Sequence, residues 1–344
     1  MELQAFDYEL PPAAIAQAPA ERRDAARLLL IDRGTGALTD RTFMDLPSLL
    51  RPGDCLVLNN SRVIPARVMA RDESDRPVEL LFLDAEAASR GRALVRPGRR
   101  CLPGARLRAG GEPGIRLTVV GVADDGSRVL ERPDGTIAQL LDAHGLPPLP
   151  PYIARHAKPT PDDWERYQTV YAKPSGSVAA PTAGLHFTAH LLQALRGRAI
   201  EVHELTLHVG PATFRPIRAR DVEHHVLAPE PVAIPEAVAA AVNTARRQGR
   251  RVVAVGTTTT RALEGAAAAD GQVHPTDGHV DLYITPGYRF RVVDALLTNF
   301  HLPRSSLLVL VAAFAGRDLV LRAYRHALTR GYRFYSYGDA TLIV

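Results

Sequence analysis

Three histidines lie in the most chemically loaded parts of this 344-residue chain: His186, His208 and His301. Imidazole titrates near neutral pH, so each is a candidate for general acid/base work. Around them the sequence reads as five polar clusters, residues 59–62, 175–186, 208–215, 256–261 and 299–304, taken to sit after predicted strands. The clusters hold hydroxyls, amides, glycines and arginines, which are groups that grip a polar or anionic ligand. Three histidines could also bind zinc, but no HxH or HExxH spacing joins them and no metal is expected. No GxSxG elbow is present, and neither Cys55 nor Cys101 has a local partner, so no nucleophilic triad is read.

Elements must place these groups. Residues 171–188, YAKPSGSVAAPTAGLHFT, are nearly all small between Lys173 and Phe187. Such a run cannot build a core, and it lets backbone approach a ligand closely. Thr188 then caps a helix. Residues 200–207 and 251–255 read as strands, the second leading through Gly256-Thr257-Thr258-Thr259-Thr260-Arg261 into an Ala-rich helix. Strand, glycine, hydroxyls, helix is a layout that cradles phosphate or carboxylate, although no Walker Gly-Lys-Ser/Thr follows. A Thr N-cap alone would also explain it. In an α/β sheet such strand ends converge, so one cleft is the economical expectation. Residues 281–285 and 294–298 also read as strands, and 307–315 and 319–329 as helices.

The texture changes at residues 63–130, where short strand-like runs alternate with turn signals such as Asp75-Arg76-Pro77 and Asp125-Gly126. That pattern indicates a small β-barrel. Its many arginines read either as an RNA-facing surface or as solvated hairpin tips. A helix at 136–143 stops at Gly145, and the proline-rich 146–151 returns the chain. The expectation is a mixed-sheet α/β domain, residues 1–62 and 152–344, carrying an inserted small antiparallel β-barrel, residues 63–151.

Composition narrows the class. Forty-six per cent hydrophobic residues supply a large core, which excludes a disordered chain. A net charge of +5 permits a polyanionic partner. No basic n-region precedes an apolar stretch, and the longest apolar run, 307–315, is far short of the ~20 residues a membrane-spanning helix needs. A soluble protein of a reducing cytoplasm is expected.

Several stretches resemble one family closely. These are Phe6-Asp7-Tyr8-Glu9-Leu10-Pro11 with Arg23-Asp24, and Leu58-Asn59-Asn60-Ser61-Arg62-Val63. Further along come Tyr167-Gln168-Thr169-Val170-Tyr171-Ala172, the run from Gly176 through His186 to Thr188, Leu207-His208-Val209-Gly210 with Thr213-Phe214-Arg215-Pro216, and Val255-Gly256-Thr257-Thr258 with Arg261. Thr298-Asn299-Phe300-His301-Leu302-Pro303 and the tail from Tyr332 to Asp339 complete the set. Together they resemble the S-adenosylmethionine:tRNA ribosyltransferase-isomerase family of queuosine biosynthesis. The chain departs from that pattern at Pro211-Ala212, at Ala228 where the family has a histidine, and at His279-Val280; His225 and Glu230 match.

The resemblance implies transfer and isomerisation of the ribosyl moiety of S-adenosylmethionine onto a 7-aminomethyl-7-deazaguanine at the tRNA wobble position, giving epoxyqueuosine, adenine and methionine. S-adenosylmethionine is then a consumed substrate, and no resident cofactor is expected. The partners are tRNA and S-adenosylmethionine, and a monomer is expected. His186, His208 and His301 are the expected acid/base groups. Lys173, Ser177, Thr182, Gly184, Gly210, Thr213, Arg215, Gly256, Thr257, Thr258, Arg261 and Asn299 are expected to bind substrate, and Asn60, Arg62 and Arg67 to bind tRNA.

Overall fold

The computed structural model describes residues 1–344 apart from 85–87, 112, 211–216 and 218. The described chain divides into two compact units. One comprises Met1–Ser61, Gln168–Pro174 and Pro181–Val344, and the other Arg62–Tyr167 and Ser175–Ala180. The barrel-bearing unit thus reaches beyond the 63–151 read from the sequence. The prolines at 147–151 do not mark the return, because the stretch up to Tyr167 packs with the barrel unit.

The first unit is built on a nine-stranded mixed sheet. Its order is Thr276–Val280, Glu230–Ile234, Glu201–Leu207, Cys55–Asn59, Val252–Val255, Ala295–Asn299, Ala340–Ile343, Arg27–Ile31 and Leu38–Thr42. The central strands Glu201–Leu207, Cys55–Asn59, Val252–Val255 and Ala295–Asn299 run parallel, with Leu205 beside Asn59 and Val253 beside Leu56. Cys55–Asn59, Val252–Val255 and Ala295–Asn299 are buried along their whole length, which explains their unbroken apolar runs. Leu56, Leu58, Val253, Val255, Leu297 and Leu342 pack in one core cluster with Phe187, Leu191 and Leu195. The helix Ala189–Gly197 starts on Thr188, whose hydroxyl accepts from Leu191 N at 3.1 Å. The helix Ser306–Ala315 is buried on nearly all sides and likewise starts on a hydroxyl, that of Ser305.

Three readings of this unit differ. Residues 281–285 are not a strand; the strand lies one segment earlier, at Thr276–Val280, where alternating Asp, Gly and His hide the pattern. Residues 332–337 hold one isolated bridge, Phe334 to Ile15, before a turn, and the last strand of the chain is Ala340–Ile343. Glu230–Ile234 is a strand that its proline and its length conceal.

The second unit holds a closed six-stranded antiparallel barrel in the order Arg128–Glu131, Arg90–Arg96, Pro77–Phe82, Arg67–Asp72, Arg106–Ala109 and Ile115–Val122. The expected fold class, a mixed-sheet α/β domain with a small antiparallel barrel, is therefore found. The strand Arg106–Ala109 is missing from the sequence reading because it is only four residues long, although buried Leu107 and Ala109 alternate with Arg106 and Arg108. Val68, Leu80, Phe82, Leu107, Leu117 and Leu130 fill the barrel together with Leu140 and Leu141 of the helix Ile137–His144. Gly145 does end that helix, but at φ −69 and not in a left-handed turn. It is glycine because a Cβ there would lie 2.2 Å from Pro65 O and 2.4 Å from Leu141 O.

Candidate active site

The carboxyl ends of Cys55–Asn59 and Glu201–Leu207 lie side by side, and Asn59 ties them. Its Oδ1 accepts from Ser61 N at 3.1 Å and Leu207 N at 3.0 Å. Its Nδ2 donates to Leu207 O at 2.9 Å and Thr258 Oγ1 at 3.4 Å. With every valence used, this buried amide fixes the turn that carries Ser61. Ser61 Oγ in turn lies 2.7 Å from His208 Nδ1. His208 is half-buried, and burial lowers its pKa from the ordinary histidine value. It is therefore neutral at pH 7. In the tautomer that donates Nδ1–H to Ser61, Nε2 carries a lone pair able to take a proton.

The small-residue loop approaches the same place. Residues Thr182–His186 form a 3₁₀ turn. Thr182 Oγ1 donates to Asn299 Oδ1 at 2.9 Å, and Asn299 Nδ2 lies 3.3 Å from His186 Nε2. The amide thus makes Nε2 an acceptor and keeps the imidazole proton on Nδ1. His186 is 5% exposed, and its ring centroid is 4.9 Å from that of Phe43. Burial, with the charges of Arg333 and Arg23 beside it, lowers its pKa to about 4. Gly184 is dictated by space: a Cβ would sit 2.1 Å from the Tyr171 hydroxyl.

The start of the helix Thr257–Gly265 completes the arrangement. Gly256 precedes it at φ 89, a backbone geometry that glycine adopts freely. A Cβ on Gly256 would be 3.7 Å from Ala183 Cβ and 3.6 Å from Thr258 Oγ1, so the 181–186 loop and this helix start are neighbours. Contacts therefore run unbroken from His186 through Asn299, Thr182 and Ala183 to Gly256, and through Thr258, Asn59 and Ser61 to His208. That chain of contacts links His186, Gly256 and His208 within the first unit.

Arg261, on the same helix, is 2% exposed and ion-pairs through Nη1 with the equally buried Glu230. Its Nε donates to Leu282 O at 2.8 Å. Glu230 Oε1 accepts from Gly210 N at 2.8 Å. Arg261 thus acts from inside, holding the residue that anchors the loop after His208. Lys173 Nζ reaches Glu204 Oε2 at 2.6 Å, and its backbone N donates to Asn60 O at 2.8 Å. Glu204 also accepts from Asn60 Nδ2 at 3.1 Å, while Asn60 Oδ1 accepts from Thr206 Oγ1 at 2.7 Å. The Asn60 side chain is therefore spent within the protein.

His301 stands apart in role. Its Nε2 lies 3.0 Å from Thr298 Oγ1, its backbone N donates to the Tyr324 hydroxyl at 3.1 Å, and its O accepts from the Tyr8 hydroxyl at 2.5 Å. It is 4% exposed, and burial lowers its pKa to about 3. Thr257 is buried at the same helix start as Thr258. In the barrel unit, Ser177 Oγ donates to Ala179 O at 2.9 Å. Arg67 is 3% exposed and donates to His156 O and Leu149 O, so its guanidinium is closed to an external phosphate. Arg62 is exposed. Thr213 and Arg215 lie outside the described residues.

Ser61, Glu204 and Glu230 have roles that sequence reasoning misses. Ser61 stands inside a polar cluster, but nothing local links it to His208, 147 positions away. Glu230 stands in a stretch that resembles the family, but nothing local links it to Arg261, 31 positions on. Among the described residues, metal-capable donors gather at Cys55, Glu201 and His203, within 4.8 Å of one another. None of the three candidate histidines belongs to that group. Its Glu201 carboxylate is already paired with Arg250 at 3.0 Å.

Residues 3–343 match the family described as Queuosine biosynthesis protein. The chain belongs to this family. Within the queuosine biosynthesis family, it is 51% identical to the S-adenosylmethionine:tRNA ribosyltransferase-isomerase of Moorella thermoacetica, over 100% of both chains. It is 51% identical to that of Thermus thermophilus, over 99% of both. A crystal structure of S-adenosylmethionine tRNA ribosyltransferase from Thermotoga maritima is 37% identical, covers 99% of this chain and 100% of its own, and superposes with a TM-score of 0.55. The family match runs through both units, so neither is an addition peculiar to this chain.

Proposed function

We propose that this protein is an S-adenosylmethionine:tRNA ribosyltransferase-isomerase. It moves the ribosyl moiety of S-adenosylmethionine onto the aminomethyl group of a 7-deazaguanine at the tRNA wobble position, releasing adenine and methionine and leaving epoxyqueuosine. The observation that carries the reading is the Asn59–Ser61–His208 chain beside the Gly256–Thr258 helix start. It supplies a neutral, oriented base next to a cluster of backbone and hydroxyl donors.

The chemistry asks for these parts. A sulfonium acidifies the carbon next to it, so a neutral imidazole can remove a proton there. His208 is the half-buried base that takes it. Adenine leaves more readily when protonated, and the imidazolium formed at His208 lies within the same cluster to return a proton. His186, held neutral by burial, accepts from Asn299 and so steadies the Thr182–Asn299 contact beside the helix start. The Thr258 hydroxyl and the backbone N–H groups of the first turn of Thr257–Gly265 meet the carboxylate of the methionine portion, the Gly256 N–H being already given to Leu297 O. Lys173, an exposed cation at this place, meets the tRNA. His301 serves as a buried support for the Asn299 turn. S-adenosylmethionine is consumed, and no resident cofactor takes part.

No helix among the described residues is long and apolar enough to cross a membrane. The reading places the enzyme in the cytoplasm as a monomer, which light scattering of the purified chain tests. The decisive experiment is incubation with S-adenosylmethionine and precursor-modified tRNA. Adenine release dependent on both substrates is the expected result. Binding of tRNA with no adenine released would reduce the protein to an RNA-binding module.

A further inference from the structure

A cleft of about 550 Å³ opens in the first unit away from the residues described above. Five guanidinium groups line it: Arg246, Arg247, Arg250, Arg251 and Arg291. Two lining carboxylates, Asp270 and Asp294, offset them only in part. The arginines come from three places. Arg246 and Arg247 end the helix Glu236–Arg247, Arg250 and Arg251 precede the strand Val252–Val255, and Arg291 comes from the segment before Ala295–Asn299. Helix-end preference accounts for the first two. It does not account for the convergence of the other three.

Two of the five are neutralised from behind. Arg251 forms a two-pronged pair with Asp54, at 3.0 and 2.5 Å, and Arg250 pairs with Glu201 at 3.0 Å. Arg246 gives Nη1 to Gly271 O, Arg247 gives Nη2 to Thr244 Oγ1, and Arg291 reaches only Ala267 O at 3.5 Å. Among the described residues, Arg246, Arg247 and Arg291 have no ion-pair partner. Guanidinium forks left with spare donors in a concave site match the oxygens of a phosphate.

The cleft lies at the amino end of Val252–Val255, whereas Gly256 and the candidate active site lie at its carboxyl end. Five residues at about 3.3 Å each put some 16 Å between the two. A free nucleotide held there would have no route to the chemistry. A long polyanion bound at the active site would reach both. Resting on the function proposed above, we propose that this cleft binds backbone phosphates of the tRNA substrate, as a second anchoring point remote from the reacting base.

The test uses full-length Arg247→Glu, Arg291→Glu and the double variant, with Arg247→Lys/Arg291→Lys and the exposed Arg196→Glu as controls. Affinity for tRNA is measured by fluorescence anisotropy across a KCl series, and turnover at saturating tRNA beside it. The double glutamate variant should bind tRNA at least about tenfold more weakly at low salt. Its log–log salt slope should fall by about two. Its saturating turnover should stay at the wild-type level, and the lysine pair should recover most of the affinity. Unchanged affinity and slope in the double variant would overturn the proposal, as would an equal loss in Arg196→Glu, which would reduce the effect to bulk charge. Calorimetry with inorganic phosphate and pyrophosphate forms the second arm. Tight binding lost in the variant while RNA affinity stays intact would assign the cleft to a small anion and overturn the RNA assignment. These binding readouts do not need adenine release, so a failure of the proposed reaction is seen separately.

Discussion

Ser61 Oγ lies 2.7 Å from Nδ1 of His208 and sits on a turn that the Asn59 amide locks in place. A serine 147 positions upstream therefore sets the orientation of the imidazole at the carboxyl edge of the sheet. Removing the hydroxyl frees the ring to rotate without opening a large void.

Ser61→Ala should lower kcat by about tenfold to a hundredfold, a part of what a general base contributes, with KM for S-adenosylmethionine within about twofold of wild type. Burial lowers the His208 pKa, so the acid limb of kcat/KM lies below pH 6.5 in the wild type. With the serine gone, the limb should shift. Wild-type kcat together with an unmoved limb would remove His208 from the base role.

His186 predicts how stability depends on pH. Its folded pKa of about 4 lies below the ordinary 6.5, so the unfolded chain takes up the proton first as pH falls. The neutral ring's contribution is whole above pH 6.5 and is lost progressively down to pH 4. The loss across that window is about 3 kcal/mol. Urea unfolding of wild type and His186→Asn at pH 7.5 and 4.5 measures it, and the variant should show a flatter decline. Equal declines in both proteins would contradict the buried neutral imidazole. His301 acts in the same direction, which is why the comparison is made one residue at a time.

Gly184→Ala should destabilise the protein by about 1–3 kcal/mol, because the added methyl collides with the Tyr171 hydroxyl at 2.1 Å and Thr169 Cγ2 at 2.9 Å. Adding Tyr171→Phe removes the worse of the two contacts. The double variant should therefore recover part of the loss, leaving a non-additivity above about 0.5 kcal/mol. Strict additivity in chemical denaturation would mean that the two residues do not meet.

Glu230→Ala should cost about 3–5 kcal/mol, since it strands the buried Arg261 guanidinium and releases Gly210 N. Glu230→Gln keeps the shape and one acceptor and should cost less. Pairing Glu230→Ala with Arg261→Met should restore stability but not turnover, because Gly210 stays unanchored. Full activity in the double variant would show that the loop needs no such anchor.

Much of this is legible along the chain. Unbroken apolar runs such as Cys55–Asn59 and Ala295–Asn299 announce buried strands, and a polar cluster after each announces a ligand-facing end. The turn-punctuated arginine-rich stretch announces a barrel, because short alternating strands leave that trace whatever their partners. Thr188 announces a helix start, since capping is a contact between near neighbours. Only the folded chain could decide what lies far apart in sequence. That includes the pairing of Ser61 with His208, the withdrawal of Arg261 and Arg67 into internal bonds, and the five arginines that share one cleft. Periodicity records which face of an element is buried. A hydrogen bond between distant side chains depends on strand order and register, which no local pattern encodes.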